Sequence, residues 1–137
     1  MTKAAQDYWG RALESPEIAQ DLFSKSTDIC ASRAYYAAFN AVTAWFLLQD
    51  QSFSKHSALR SGVHRELVRP GHWPTQLGSD YDFLMELRNL GDYGGSRHVS
   101  RKDAEVSMQA ARRILQAVRK SNPGFFSDPK KILGGEA

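Results

Sequence analysis

A single cysteine, Cys30, stands among the 137 residues of this sequence. No disulfide can therefore form within the chain, and one thiol suits a reducing compartment. Long uncharged apolar runs are missing too. The most apolar stretch, Ile29–Leu48, contains Arg33 and Asn40, so it reads as a buried helix and not as a membrane span. The first residues are polar and hold no apolar core of a secretory signal; the expectation is a cytoplasmic protein. Nowhere do apolar and polar residues alternate as they do in a strand. Without a strand, a glycine-rich phosphate loop has no place either. His56, His64 and His72 are eight residues apart with no cysteine nearby, which is not a zinc spacing, and neither metal nor cofactor is expected. A net charge of +3 permits contact with nucleic acid without demanding it.

What is present is helical periodicity. The length fits one domain, with a bundle over residues 1–120 and a flexible tail over 121–137, rich in glycine and proline. A first helix is expected from Ala4 to Leu13. Ser15-Pro16-Glu17 then reads as a cap followed by proline at a first helical position. Ile18, Leu22 and Phe23 lie beyond it, on a second helix or on a continuation of the first. The longest helix should span Thr27–Leu48, capped by Thr27 or Asp28. Tyr35, Phe39, Val42 and Phe46 repeat along it at helical spacing, flanked by Ile29, Ala37, Ala41, Ala44 and Leu48. A helix apolar on so much of its surface belongs at the centre of a bundle. A third helix is expected over Ser57–Val68 and a fourth over Ser79–Leu90, stopped by Gly91. Ser100, with Asp103 three residues on, caps the last. Its inward stripe is Met108, Ala111, Leu115 and Val118.

Polar residues interrupt this pattern at two places. Arg33, Tyr36, Asn40 and Thr43 form one line along the central helix. Groups of this kind are costly to bury without partners. They serve either as a hydrogen-bonded brace or subunit seam, or as a ligand site. The fourth helix ends in Leu87-Arg88-Asn89-Leu90-Gly91-Asp92-Tyr93. Arg88 and Asp92 are placed for a local ion pair, yet an arginine at a helix end can also grip a phosphate through its fork.

These segments carry a family resemblance. Ser32–Ala41 resembles the central helix of small stand-alone HEPN proteins. Lys55-His56-Ser57 is similar to the motif that opens their next helix, and Leu87–Tyr93 to their Arg-Asn helix end. The order and spacing agree over roughly residues 20–120. The resemblance implies an all-α, antiparallel bundle of about five helices, often paired as a homodimer. Many such proteins are ribonucleases that need no metal. In them an arginine steadies the scissile phosphate and a following histidine assists proton transfer. Others are toxins, or partners of small nucleotidyltransferases that can attach a nucleotide to a tyrosine. Some only bind or scaffold.

The sequence departs from the nuclease motif where the histidine should fall, because Tyr93 stands there. A phenol holds its proton too tightly to act as a base near neutral pH. Asn40 likewise occupies a position where similar proteins commonly carry histidine. His98, across the Gly94-Gly95 turn, is either a substitute or an ordinary loop histidine. His56 is either a proton carrier or a brace of the third helix. The expectation is a nucleotide- or RNA-interacting module of toxin–antitoxin or defence type with weak metal-independent ribonuclease activity. Arg88, Asn89, His56 and His98 would then be catalytic, and Arg33, Tyr36, Asn40, Asp92 and Tyr93 would bind the ligand. The alternative is a non-catalytic helical dimer that partners a minimal nucleotidyltransferase.

Overall fold

The computed structural model describes residues 2–127 and, among them, five α-helices and no strand. Helix α1 runs over Thr2–Leu22 without a break, so Ser15-Pro16 does not start a new helix. Proline inside a helix removes one backbone hydrogen bond. The Ser15 hydroxyl donates to the Arg11 carbonyl at 3.1 Å, and Ala5, Trp9, Ala12, Ser15 and Ala19 all stay buried on one continuous face. Packing of that face overrides the local stop signal.

Helix α2, Thr27–Leu48, has the expected bounds but a different cap. Ser26 accepts the Ile29 N–H at 3.1 Å. Thr27 and Asp28 instead reach across to the loop that follows the fourth helix. Thr27 donates its hydroxyl to the Val99 carbonyl at 2.7 Å, and Asp28 accepts from the Val99 N–H at 2.8 Å and pairs with His98 at 2.6 Å. The buried alanines of α2, at 31, 34, 37, 38, 41 and 44, let neighbouring helices approach closely from several sides. It packs on α1, on α4 and on α5.

Helix α3, His56–Gly62, continues as a π-helical segment over Val63–Val68. Helix α4 covers Thr75–Tyr93. It begins before the expected Ser79 and passes straight through Gly91. That glycine is required by contact rather than as a terminator, since a Cβ there would lie 2.8 Å from the Asp28 carbonyl oxygen. Helix α5, Arg101–Ser121, is capped by Ser100, whose hydroxyl accepts the Asp103 N–H at 3.0 Å. A two-pronged pair between Arg113 and Asp80, at 2.8 and 3.0 Å, ties it to α4.

The tail expected to be flexible from residue 121 is anchored to α1 at Phe126 and Ser127. Phe126 is fully buried, its ring 5.1 Å from that of Trp9, and the Trp9 indole N–H donates to the Ser127 carbonyl at 2.7 Å. Residues 128–137 of that expected tail lie outside the described residues.

The Asp28 staple has a pH dependence. Burial pushes its carboxyl pKa up, but His98 and the Val99 N–H outweigh that and hold it below the usual aspartate value. A group depressed in this way stabilises the fold above its unfolded pKa of about 3.9, and the contribution fades as pH falls through the native value. Asp28→Asn is therefore expected to flatten the acid limb of stability between about pH 5 and 2. Urea unfolding across that range checks it. An acid limb as steep as that of wild type would assign the effect to other carboxylates.

A candidate groove between three helices

Helices α1 and α2 are joined by a short turn and pack along their length, which makes them an antiparallel hairpin. Gly91 of α4 touches Asp28 of α2, so the end of α4 lies beside the start of α2. Between these three elements runs an open groove of about 960 Å³. Its floor is α2, one wall is α1, and the other is the last turns of α4.

The groove brings together six residues singled out from the sequence: Arg33, Tyr36, Asn40, Arg88, Asp92 and Tyr93. Arg88 is at its centre. Its side chain is only 14% exposed. One guanidinium nitrogen, Nη2, donates to the Tyr36 hydroxyl at 2.9 Å, and Nη1 donates to the Asn89 side-chain oxygen at 3.2 Å. Nε lies 3.1 Å from an Asp92 carboxylate oxygen, close enough for an ion pair, but it is not aligned for a hydrogen bond. The cation also lies 5.4 Å from the centroid of Tyr93 and 5.6 Å from that of Tyr36. Burial disfavours the Arg88 charge, but Tyr36, Tyr93 and Asp92 more than compensate and raise its pKa above the ordinary arginine value. Arg88 thus both pairs locally with Asp92 and lines the open groove. Arg33 is exposed and, among the described residues, takes part in no ion pair or hydrogen bond.

The two histidines are elsewhere. His56 lies behind the floor, where Phe39 stacks on it at 4.7 Å and the Tyr35 hydroxyl meets its Nδ1 at 2.7 Å. Burial raises the Tyr35 pKa to about 12, so the phenol keeps its proton, and it donates to Nδ1 in the tautomer whose proton is on Nε2. Burial, with Arg88 as a second cause, lowers the His56 pKa and favours the neutral ring. Phe39, expected in the core, is only partly buried and lines the groove. His98 borders a separate cavity of about 360 Å³ between the α1–α2 turn and the start of α5, where it is committed to Asp28. Asn89 is exposed, and its part is to accept from Arg88. No cluster of three or more potential metal ligands occurs among the described residues.

Sequence reasoning missed the α1 wall: Tyr8, Arg11, Glu14, Ser15 and Ile18. A signal was available. Tyr8, Arg11, Ser15 and Ile18 repeat the three-four-three spacing of Arg33, Tyr36, Asn40 and Thr43, which puts them on one helix face. Ile29, expected among the apolar packing residues of α2, is 48% exposed on the groove rim.

A helical bundle with an arginine clasped by tyrosines in an open groove is thus the class that fold and site define. The HEPN domain model matches residues 5–121. A UPF0332 protein of Gloeobacter violaceus is 34% identical over 118 residues, covering 85% of this chain and 94% of that protein. A UPF0332 protein of Thermotoga maritima is 33% identical over 116 residues, covering 83% of this chain and 88% of that protein. The chain belongs to the HEPN family.

Proposed function

We propose that this HEPN-family protein binds RNA or a nucleotide in the groove, with Arg88 as the phosphate ligand. The observation that carries this reading is the held guanidinium of Arg88, lining an open groove in which Arg33 on the α2 floor has no acidic partner among the described residues. A fixed fork loses less freedom on gripping a phosphate than a mobile one. Tyr36 and Tyr93 add ring faces for a base. Binding is favoured over turnover because no histidine lines the groove. Any cleavage should be slow, independent of metal and dependent on Arg88, since charge stabilisation alone leaves residual catalysis. The test is titration of the full chain into labelled single-stranded RNA in the presence of a chelator, followed on a gel for cleavage. Failure to bind at micromolar concentration would overturn the reading.

A second reading has its own support. Ile18, Ile29 and Tyr93, at 41%, 48% and 73% exposed, are the large exposed apolar residues among those described, and all three line this groove. Such clustering marks a surface that another protein covers, either a second copy or a nucleotidyltransferase in a toxin–antitoxin or defence pair. A homodimer that covers the apolar rim and leaves the arginines of both copies in a shared cleft reconciles the two readings. Sedimentation at micromolar concentration is expected to give a dimer, and Ile29→Glu to shift it towards monomer. A wild type that stays monomeric would remove the homodimer from the proposal.

A further inference from the structure

The α1 wall adds a feature that recognition by Arg88 does not need. In the antiparallel hairpin, the end of α1 lies beside the start of α2, so Tyr8 and Arg11 sit opposite the Phe39–Asn40 end of the groove. Ile18 sits opposite the Ile29–Arg33 end. From Ile29 to Asn40 the floor is roughly 16 Å long at about 1.5 Å per residue. Three arginines from three helices are spread along it: Arg33 towards the start of α2, Arg88 in the middle and Arg11 at the far end. Arg11 has no ion pair among the described residues, and its guanidinium lies 6.0 Å from the Tyr8 ring centroid. Cation and ring are thus presented side by side. Neither acid of the groove neutralises that cation. Asp92 is occupied by Arg88, and Glu14, three residues from Arg11 on α1, makes no ion pair with it.

A mononucleotide needs one phosphate grip and one ring, and Arg88 with Tyr36 or Tyr93 already supplies both. The groove's volume is at the upper end of the roughly 300–1,000 Å³ typical of small-ligand pockets. Spaced cations interleaved with tyrosines match the way single strands are held, with the backbone on charge and bases on aromatic faces. We propose that Tyr8 and Arg11 form a second nucleotide subsite, so that the groove takes a single-stranded oligonucleotide lying along α2 and contacting at least two phosphates. This rests on the phosphate-binding reading of Arg88 and extends it to ligand length and direction.

The experiment uses the full chain and fluorescein-labelled oligouridylates of two to twelve nucleotides, read by anisotropy over a range of salt concentrations, with uridine monophosphate as competitor. Arg11→Ala, Arg11→Lys and Tyr8→Leu are compared with wild type, and circular dichroism melting verifies that each is folded. Arg11 is exposed, so its removal should leave the fold intact. Affinity should rise with length and then level off. Arg11→Ala should weaken the longer oligomers about tenfold and reduce the slope of log K against log salt by about 0.7, the value for one phosphate contact on a single strand. Arg11→Lys should restore the slope, and the monophosphate should compete poorly. Affinity and slope unchanged in Arg11→Ala, with the monophosphate competing as well as an oligomer, would overturn the second subsite and leave the Arg88 reading standing. Absence of oligonucleotide binding by wild type would overturn both and favour a protein occupant.

Discussion

Arg88→Ala is expected to weaken binding of single-stranded RNA by roughly 10- to 100-fold, the equivalent of losing charged hydrogen bonds worth about 1.5–3 kcal/mol. The effect should be large because the fork is fixed in place before any ligand arrives. Tyr36 and Asn89 hold its two terminal nitrogens, and Asp92 lies against Nε. The remaining donors of both terminal nitrogens are left for a phosphate. The fold should tolerate the change, because Asp92 is 32% exposed and water can take over its solvation. Arg88→Lys should recover only part of the affinity, since an ammonium keeps the charge but not the fork. Anisotropy titration of wild type and both variants in chelator measures this. Equal affinity in all three would remove Arg88 from the site. Robust cleavage that survived Arg88→Ala would place the chemistry outside the groove.

Phe46→Ala should cost about 3–5 kcal/mol of stability, the usual penalty for emptying an aromatic site in a core. Phe46 is 1% exposed and meets Trp45 and Phe53 edge-on, with ring centroids 5.0 Å away in each case. Gly62 closes the other side, where a Cβ would lie 3.3 Å from the Phe46 ring. A backbone packed that closely cannot easily collapse into the vacated space. Phe39→Ala is the contrasting case. Its ring is partly exposed at the groove and stacked on His56, so its loss should cost about 1–2 kcal/mol. Urea unfolding at one fixed protein concentration compares them, since dimerisation would couple stability to concentration. A loss below about 1 kcal/mol for Phe46→Ala would mean that the centre of the bundle is not where α2 and α3 meet.

Some of this was legible because local chemistry and tertiary packing agree. Helix α2 combines a long apolar run with polar capping residues, and its bounds follow from sequence. Ser100 and Asp103 mark the start of α5 in the same way. The stripe Arg33, Tyr36, Asn40 follows from helical periodicity, and the Arg88–Asp92 contact from their spacing. Where packing overrules local preference, the signals left the outcome open or misled. Pro16 leaves both a break and a continuation open from sequence, and α1 continues because its buried face is unbroken. Gly91 reads as a stop, yet it is there so that α4 can touch the backbone of α2.

By itself, then, the sequence determined the helical class, the central helix, the family motifs and one wall and the floor of the groove, because each depends on residues near one another in the chain. Only the tertiary structure decided that the α1 wall joins Arg88, that His56 packs behind Tyr35 and Phe39, and that His98 is spent on Asp28. Those facts depend on how the helices cross. The crossing is set by alanine and glycine contacts summed over whole helix faces, and no short motif encodes it.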